Sequence, residues 1–200
     1  MLFDAGLDAA IGTDPDYISS AIGRFFLRKL FRLNIGPDDT LASKLNALVF
    51  QAADVHKVIV SHLHFDHIGY IKEVPQAEFL ISGEEWTQLS GPHPEIKFIL
   101  REHIEVPGAN WRQIEFTPSD DPFFAPFGGW YDVMEDGTII LLPTSGHMPG
   151  SMSFLARTGD LPLILLVGDL IYDVEFLMKD KIPEPVTERN CWRPAPRCGC

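Results

Sequence analysis

Residues 61–70 read Ser-His-Leu-His-Phe-Asp-His-Ile-Gly-Tyr, so His62, His64, Asp66 and His67 put four metal-ligating side chains into six residues of a chain with seven histidines in all. The apolar, β-branched run before them, residues 57–61, predicts a short strand, and Ile68-Gly69 after them predicts a turn or helix start. On a strand His62 and His64 point to one face; the chain must then turn at Phe65 for Asp66 and His67 to face the same cavity. Imidazole nitrogen with carboxylate oxygen suits zinc and its first-row neighbours better than calcium. The alternative is a solvated His-rich loop or singly satisfied histidines. Titratable groups crowded at the end of a buried strand favour a functional site, with room for two metals.

At 200 residues, 46% apolar and 22% charged, the chain has the composition of one globular domain with a sizeable core. A formal net charge of −12 argues against a nucleic-acid partner. No apolar stretch reaches transmembrane length, and the start Met-Leu-Phe-Asp-Ala-Gly lacks the basic and apolar regions of a signal peptide, so a cytoplasmic protein without a membrane span is expected. Cys191, Cys198 and Cys200 crowd into the last ten residues, too few and too close for a disulfide framework. Their Pro-rich surroundings predict a disordered tail over 186–200 behind a domain over 1–185.

The order of elements reads as α/β. Residues 1–3 would end a strand closed by Asp4-Ala5-Gly6. Residues 16–34 carry a helical pattern, with Ile22, Phe25, Phe26, Leu30 and Phe31 set against Arg24, Arg28, Lys29 and Arg32. This basic stretch reads as a packed surface helix, with lid or dimer contact as its other roles. Pro37-Asp38-Asp39-Thr40 supplies start chemistry for a second helix through Leu41, Leu45, Leu48 and Val49. Residues 78–82 read as a strand and 83–89 as a helix start. Six prolines interrupt residues 90–130. Beyond them strands are expected over 130–134, 138–142, 151–157 and 163–167, with turns at Asp136-Gly137 and Thr158-Gly159-Asp160.

Two further motifs follow. Gly146-His147-Met148-Pro149-Gly150 sets a histidine between glycines after a strand, where glycine permits close backbone approach and proline fixes the turn. Gly168-Asp169 ends a buried-looking strand in an acid, which taken alone could equally cap a helix. His-x-His-x-Asp-His, then Gly-His-x-Pro-Gly-Ser, then the strand-end Asp169, resemble in order the motifs of the metallo-β-lactamase superfamily.

That resemblance implies an αβ/βα sandwich, incomplete at both termini because the usual strands before Asp4-Ala5-Gly6 and the usual last histidine after His147 are not in the chain. It implies that His62, His64 and His147 hold a first zinc, and that Asp66 and His67 hold a second, weaker one with Asp169 bridging the two. His93 and His103 are weak substitutes for the missing ligand. Asp4 would orient a ligand histidine, with a plain turn carboxylate as the alternative. Tyr172, three residues after Asp169, and the stretches around residues 2–6, 61–67 and 168–172 are similar to the N-acyl-homoserine lactonase branch. The implied reaction is attack of a metal-bound hydroxide on a lactone carbonyl, Tyr172 stabilising the oxyanion and Asp66 passing a proton to the leaving alkoxide. Phe123, Phe124, Phe127, Trp130 and Tyr131 would line an acyl wall, or else serve as core or subunit contact. The fold leaves other substrates open, a glyoxalase II-like thioester or other ester among them, and so does a non-catalytic remnant that binds one metal or none.

Overall fold

The computed structural model describes residues 1–36, 38–157, 159, 161–171 and 175, without the side chain of Phe26. The expectations placed on Phe26, Pro37, Thr158, Asp160, Tyr172 and the tail with Cys191, Cys198 and Cys200 lie outside that set. The chain forms two compact units, Met1–Glu115 and Phe116–Cys200.

The first unit carries a parallel sheet in the order β1 (Leu2–Phe3), β2 (Lys57–Ile59), β3 (Glu78–Ser82), β4 (Asn110–Ile114). Val58, Ile59, Val60, Phe79 and Ile81 are wholly buried and Leu80 nearly so. These strands are therefore covered on both faces, which is why they read as continuous apolar runs rather than alternating ones. β4 lies in the stretch that looks irregular in sequence. Its Asn-Trp-Arg-Gln-Ile is mostly exposed, as suits an outer strand, and Trp111 packs on Phe79 and Trp86 at centroid distances of 5.1 and 5.2 Å.

Two helices precede β2. In α1 (Ala21–Leu30), Ser20 caps the start by accepting from the Gly23 N–H at 3.2 Å. The expected apolar face is corrected: Gly23 and Leu27 face the core, whereas Ile22, Phe25 and Leu30 are exposed. Gly23 allows that approach, since a Cβ there would stand 3.0 Å from Ile18 Cγ2. In α2 (Leu41–Ala47), Thr40 accepts from the Ser43 N–H, and Leu45 is the buried residue. Leu48 and Val49 lie beyond its end and are exposed.

Glu78 opens β3 between Lys57 on β2, with which it pairs closely, and Arg112 on β4, whose Nη1 lies 3.6 Å away. The Lys57 hydrogen bond, chiefly, holds the Glu78 carboxyl below its ordinary value against the opposing effect of desolvation. A carboxyl depressed on folding stabilises above its unfolded value, and that contribution is lost as pH falls through the lower folded one. Glu78→Gln is therefore expected to destabilise at pH 7 by about 1 kcal/mol or less in urea melts. Wild type and variant should converge only once the pH has fallen below that lowered folded value.

The second unit carries an antiparallel sheet, β5 (Tyr131–Asp132), β6 (Ile139–Pro143), β7 (Met152–Ala156) and β8 (Ile164–Leu166), in sequence order. Ile140, Leu142 and Leu155 form its core, with Phe124, Phe127 and Trp130 packed against them. The buried strand expected over 163–167 is corrected: among the described residues β8 pairs with β7 alone, and Leu163, Ile164, Leu165 and Leu166 are exposed. An apolar run fits a buried strand by pattern, yet burial needs a covering layer that pattern does not reveal. Among the described residues no helix is long and apolar enough to cross a membrane.

Candidate metal centre

In the first unit the ladder of β2 ends where the Val60 N–H donates to Leu80 O at 2.9 Å. The chain bends at Ser61 and runs on to His64 without regular structure. Leu63 and Phe65 bury on one side, while His62 and His64 share the other, their ring centroids 4.5 Å apart. His64 then caps a single turn, α3 (Phe65–Ile68), whose His67 N–H donates to His64 O at 2.9 Å. That turn brings the His67 ring to 4.0 Å from the His62 ring. Asp66 Oδ2 lies 3.9 Å from His67 Nε2. The tetrad of the sequence is thus one side-chain cluster in space.

Asp4 sits under this cluster in a left-handed conformation, φ 61°, which a short polar side chain tolerates better than most. Its carboxylate accepts from the Ser61 N–H at 2.6 Å, from Ser61 Oγ at 2.9 Å, and from His67 Nδ1 at 2.8 Å. Ser61 Oγ is also 3.0 Å from His62 Nδ1. With its proton directed to Asp4, the serine oxygen can only accept from His62, so Nδ1 of His62 carries the hydrogen. Nδ1 of His67 carries one for the same reason. Both rings are left with Nε2 lone pairs, the form in which imidazole ligates a metal.

The donor set fits a divalent cation on this ground. His62 Nε2 is 3.0 Å from His64 Nδ1. Two ligands on one tetrahedral ion, each with a bond of about 2.05 Å, stand roughly 3.3 Å apart. Asp4→Asn keeps the left-handed turn and the shape while weakening the acceptor that sets both tautomers. It is expected to lower divalent-metal affinity about 10–100-fold, read by competition with a chelator.

The second unit holds His147 and Asp169. His147 lies in the turn after β6, where the Gly146 N–H donates to Met148 O at 3.3 Å, Met148 N–H to Ser151 Oγ at 3.1 Å, and Ser145 Oγ to Pro149 O. Asp169 lies in the turn Gly168–Leu170 that follows β8, entered through Gly168 at φ 54°. Asp169 Oδ2 is 3.5 Å from His147 Nε2, so two motifs separated by β7 and β8 meet.

The remaining expected residues are placed as follows. Phe124 stacks on Trp130 at 5.3 Å and both, with Phe127, cover the second sheet; Phe123 is exposed beside Arg157. Tyr131 opens β5, paired with Leu141. His93 is exposed and pairs with Glu95 at 3.1 Å. His103 donates from Nε2 to Tyr17 O at 2.8 Å and stacks on the Tyr17 ring, 4.1 Å between centroids. Ser61 is the participant that sequence reasoning missed. Its signal was a hydroxyl directly between an apolar strand and the first histidine.

Comparison with known proteins places the chain in a family. The N-acyl homoserine lactonase AttM of Agrobacterium fabrum is 31% identical over 147 residues, 73% of this chain and 52% of that protein. A gamma-lactamase, MBL2 of Gibberella moniliformis, is 33% identical over 117 residues, 58% of this chain and 48% of its own. The chain thus spans about half the length of these relatives. Among solved structures, an N-acyl homoserine lactone hydrolase with the product N-hexanoyl-L-homoserine at its catalytic metal centre superposes with a TM-score of 0.64 at 22% identity, over 90% of this chain and 62% of that one. The family model of the metallo-β-lactamase superfamily matches residues 1–196, a span that takes in the histidine tetrad, the His147 turn and Asp169, and the chain belongs to that superfamily.

Proposed function

We propose that the chain is a zinc-dependent hydrolase that opens an acyl-homoserine-lactone-like ring. The observation that carries the reading is the Asp4 network, which keeps hydrogens on Nδ1 of His62 and His67 and so turns Nε2 lone pairs toward a cation. The family motif assigns His147 as third ligand beside His62 and His64, Asp66 and His67 to a second ion, and Asp169 to both. Three imidazoles against one imidazole and one carboxylate, beside the shared Asp169, make two unlike sites, so zinc titration is expected in two phases.

A divalent ion held there would polarise a carbonyl and lower the pKa of water toward about 7. The chain's own groups do the rest. Asp4, through Ser61 and directly, keeps the imidazoles from turning or protonating at the wrong nitrogen. Asp66, with 42% of its side chain exposed, takes the role of passing a proton to the departing alkoxide in this reading. Tyr172 takes the role of donor to the substrate carbonyl in this reading.

The gamma-lactamase relative favours a second reading, in which the ring is a lactam. The two share attack on a cyclic carbonyl and differ in the leaving atom. The test is a panel of an acyl-homoserine lactone, a γ-lactam and a glutathione thioester, offered to zinc-loaded protein. Lactone opening at the highest kcat/KM supports the proposal. Preference for the lactam moves the assignment to the second reading, and thioester cleavage without ring opening contradicts both.

A further inference from the structure

We infer that Glu85 is a positioning residue for the His62 and His64 pair, its buried carboxylate holding the Leu63 peptide that separates them; this rests on the metal-site reading above. Glu85 is the third residue of α4 (Gly83–Trp86), and Ser82 caps that turn by accepting from the Glu85 N–H at 3.1 Å. A Ser-x-x-Glu pattern reads locally as a capping box and nothing more. Two facts go beyond local capping. Glu85 is wholly buried, and its Oε1 accepts from the Leu63 N–H at 3.1 Å, twenty-two residues earlier in the chain.

Burying a carboxylate is strongly unfavourable unless hydrogen bonds compensate it. A capping glutamate needs no such burial, since its side chain can reach the cap from the surface. The parallel register explains how the contact arises: Ile59 pairs with Leu80, so the residues just beyond β2 lie beside those just beyond β3. In the segment beyond β2 the N–H groups of alternate residues are tied in turn to Asp4 Oδ1 (Ser61), Glu85 Oε1 (Leu63) and Phe98 O (Phe65). The middle tie belongs to the residue flanked by both ligands. Fixing that peptide fixes the two Cα positions from which His62 Nε2 and His64 Nδ1 are brought to 3.0 Å.

The role is that of a hydrogen-bond acceptor of the right length, so the carboxamide should replace the carboxylate. The experiment loads the purified full chain with cobalt(II) and records affinity by chelator competition, the visible absorption spectrum and the urea midpoint. Wild type must bind cobalt; if it does not, the metal reading itself fails and this inference with it. Given binding, Glu85→Gln is expected to keep the wild-type affinity and spectrum, and Glu85→Leu to bind roughly 10–100-fold more weakly with an altered spectrum. Glu85→Asp, which keeps the charge and draws the oxygens back by one methylene, is expected to follow Glu85→Leu and decides the matter if the leucine variant does not fold. Wild-type affinity and spectrum in the aspartate variant, or a glutamine variant as impaired as the leucine one, would overturn the inference.

Discussion

Replacing His62 by alanine is expected to remove tightly bound metal and to lower lactone opening by more than the roughly 10–100-fold that disturbing a ligand's outer partner costs. His62 is the centre of the cluster. Its Nε2 faces His64 Nδ1 at 3.0 Å, its ring lies 4.0 Å from that of His67, and its Nδ1 is tied through Ser61 to Asp4. Loss of the ring takes away one donor of the first site and leaves the Ser61 hydroxyl without the imidazole it accepts from. His62 is also almost fully buried, so the variant loses some stability, and metal content must be expressed per folded molecule from the same urea melts. His103→Ala is the control. It too removes a partly buried imidazole with a hydrogen bond and a stacking partner, yet those partners belong to Tyr17. Equal metal content in wild type and His103→Ala, with loss in His62→Ala, is the expected pattern.

The largest effect on stability is expected at Gly69. Its backbone is ordinary right-handed, φ −57°, so any residue could adopt the conformation, and alanine would gain about 1 kcal/mol in helix propensity. The obstacle is space. A Cβ at Gly69 would stand 2.4 Å from Asp8 N and 2.7 Å from Gly6 O, both backbone atoms. The same segment is laced by Gly69 N–H to Gly6 O at 2.8 Å and Ala5 N–H to His67 O at 2.7 Å. Relieving the clash means separating α3 from residues 4–8. Overpacking costs about 1–3 kcal/mol, and each lost hydrogen bond adds about 1 kcal/mol. A net loss of roughly 2–4 kcal/mol is a large share of a stability of about 5–15 kcal/mol. The same movement draws Asp4 away from His67, so metal affinity should fall as well. Gly91→Ala, where a Cβ meets only Gln88 O at 3.8 Å, should stay within about 0.5 kcal/mol of wild type.

What the sequence makes legible follows the strength of local rules. Residues 78–82 form the strand expected of them, the strand expected over 138–142 is shifted by one residue, and that over 151–157 is trimmed by one residue at each end. The tetrad's geometry was also readable: a strand residue period of two pairs His62 with His64, and one helical turn returns His67. Three things were not. β4 hides in polar residues because an outer parallel strand needs little apolar surface. The buried face of α1 falls on Gly23 and Leu27 rather than on Ile22, Phe25 or Leu30, since close backbone approach there outweighs apolar content. The Ser61 and Glu85 hydrogen bonds, finally, depend on register between β1, β2 and β3, which no local pattern encodes.

The most direct test of the account strips the purified full chain with a chelator, measures metal content, and follows acyl-homoserine-lactone opening by proton release before and after zinc is restored. The account predicts that opening disappears with the metal, returns on adding zinc, and rises with the tighter of two binding phases. Ring opening that survives complete removal of metal, or a zinc-saturated chain that opens no lactone, would contradict it.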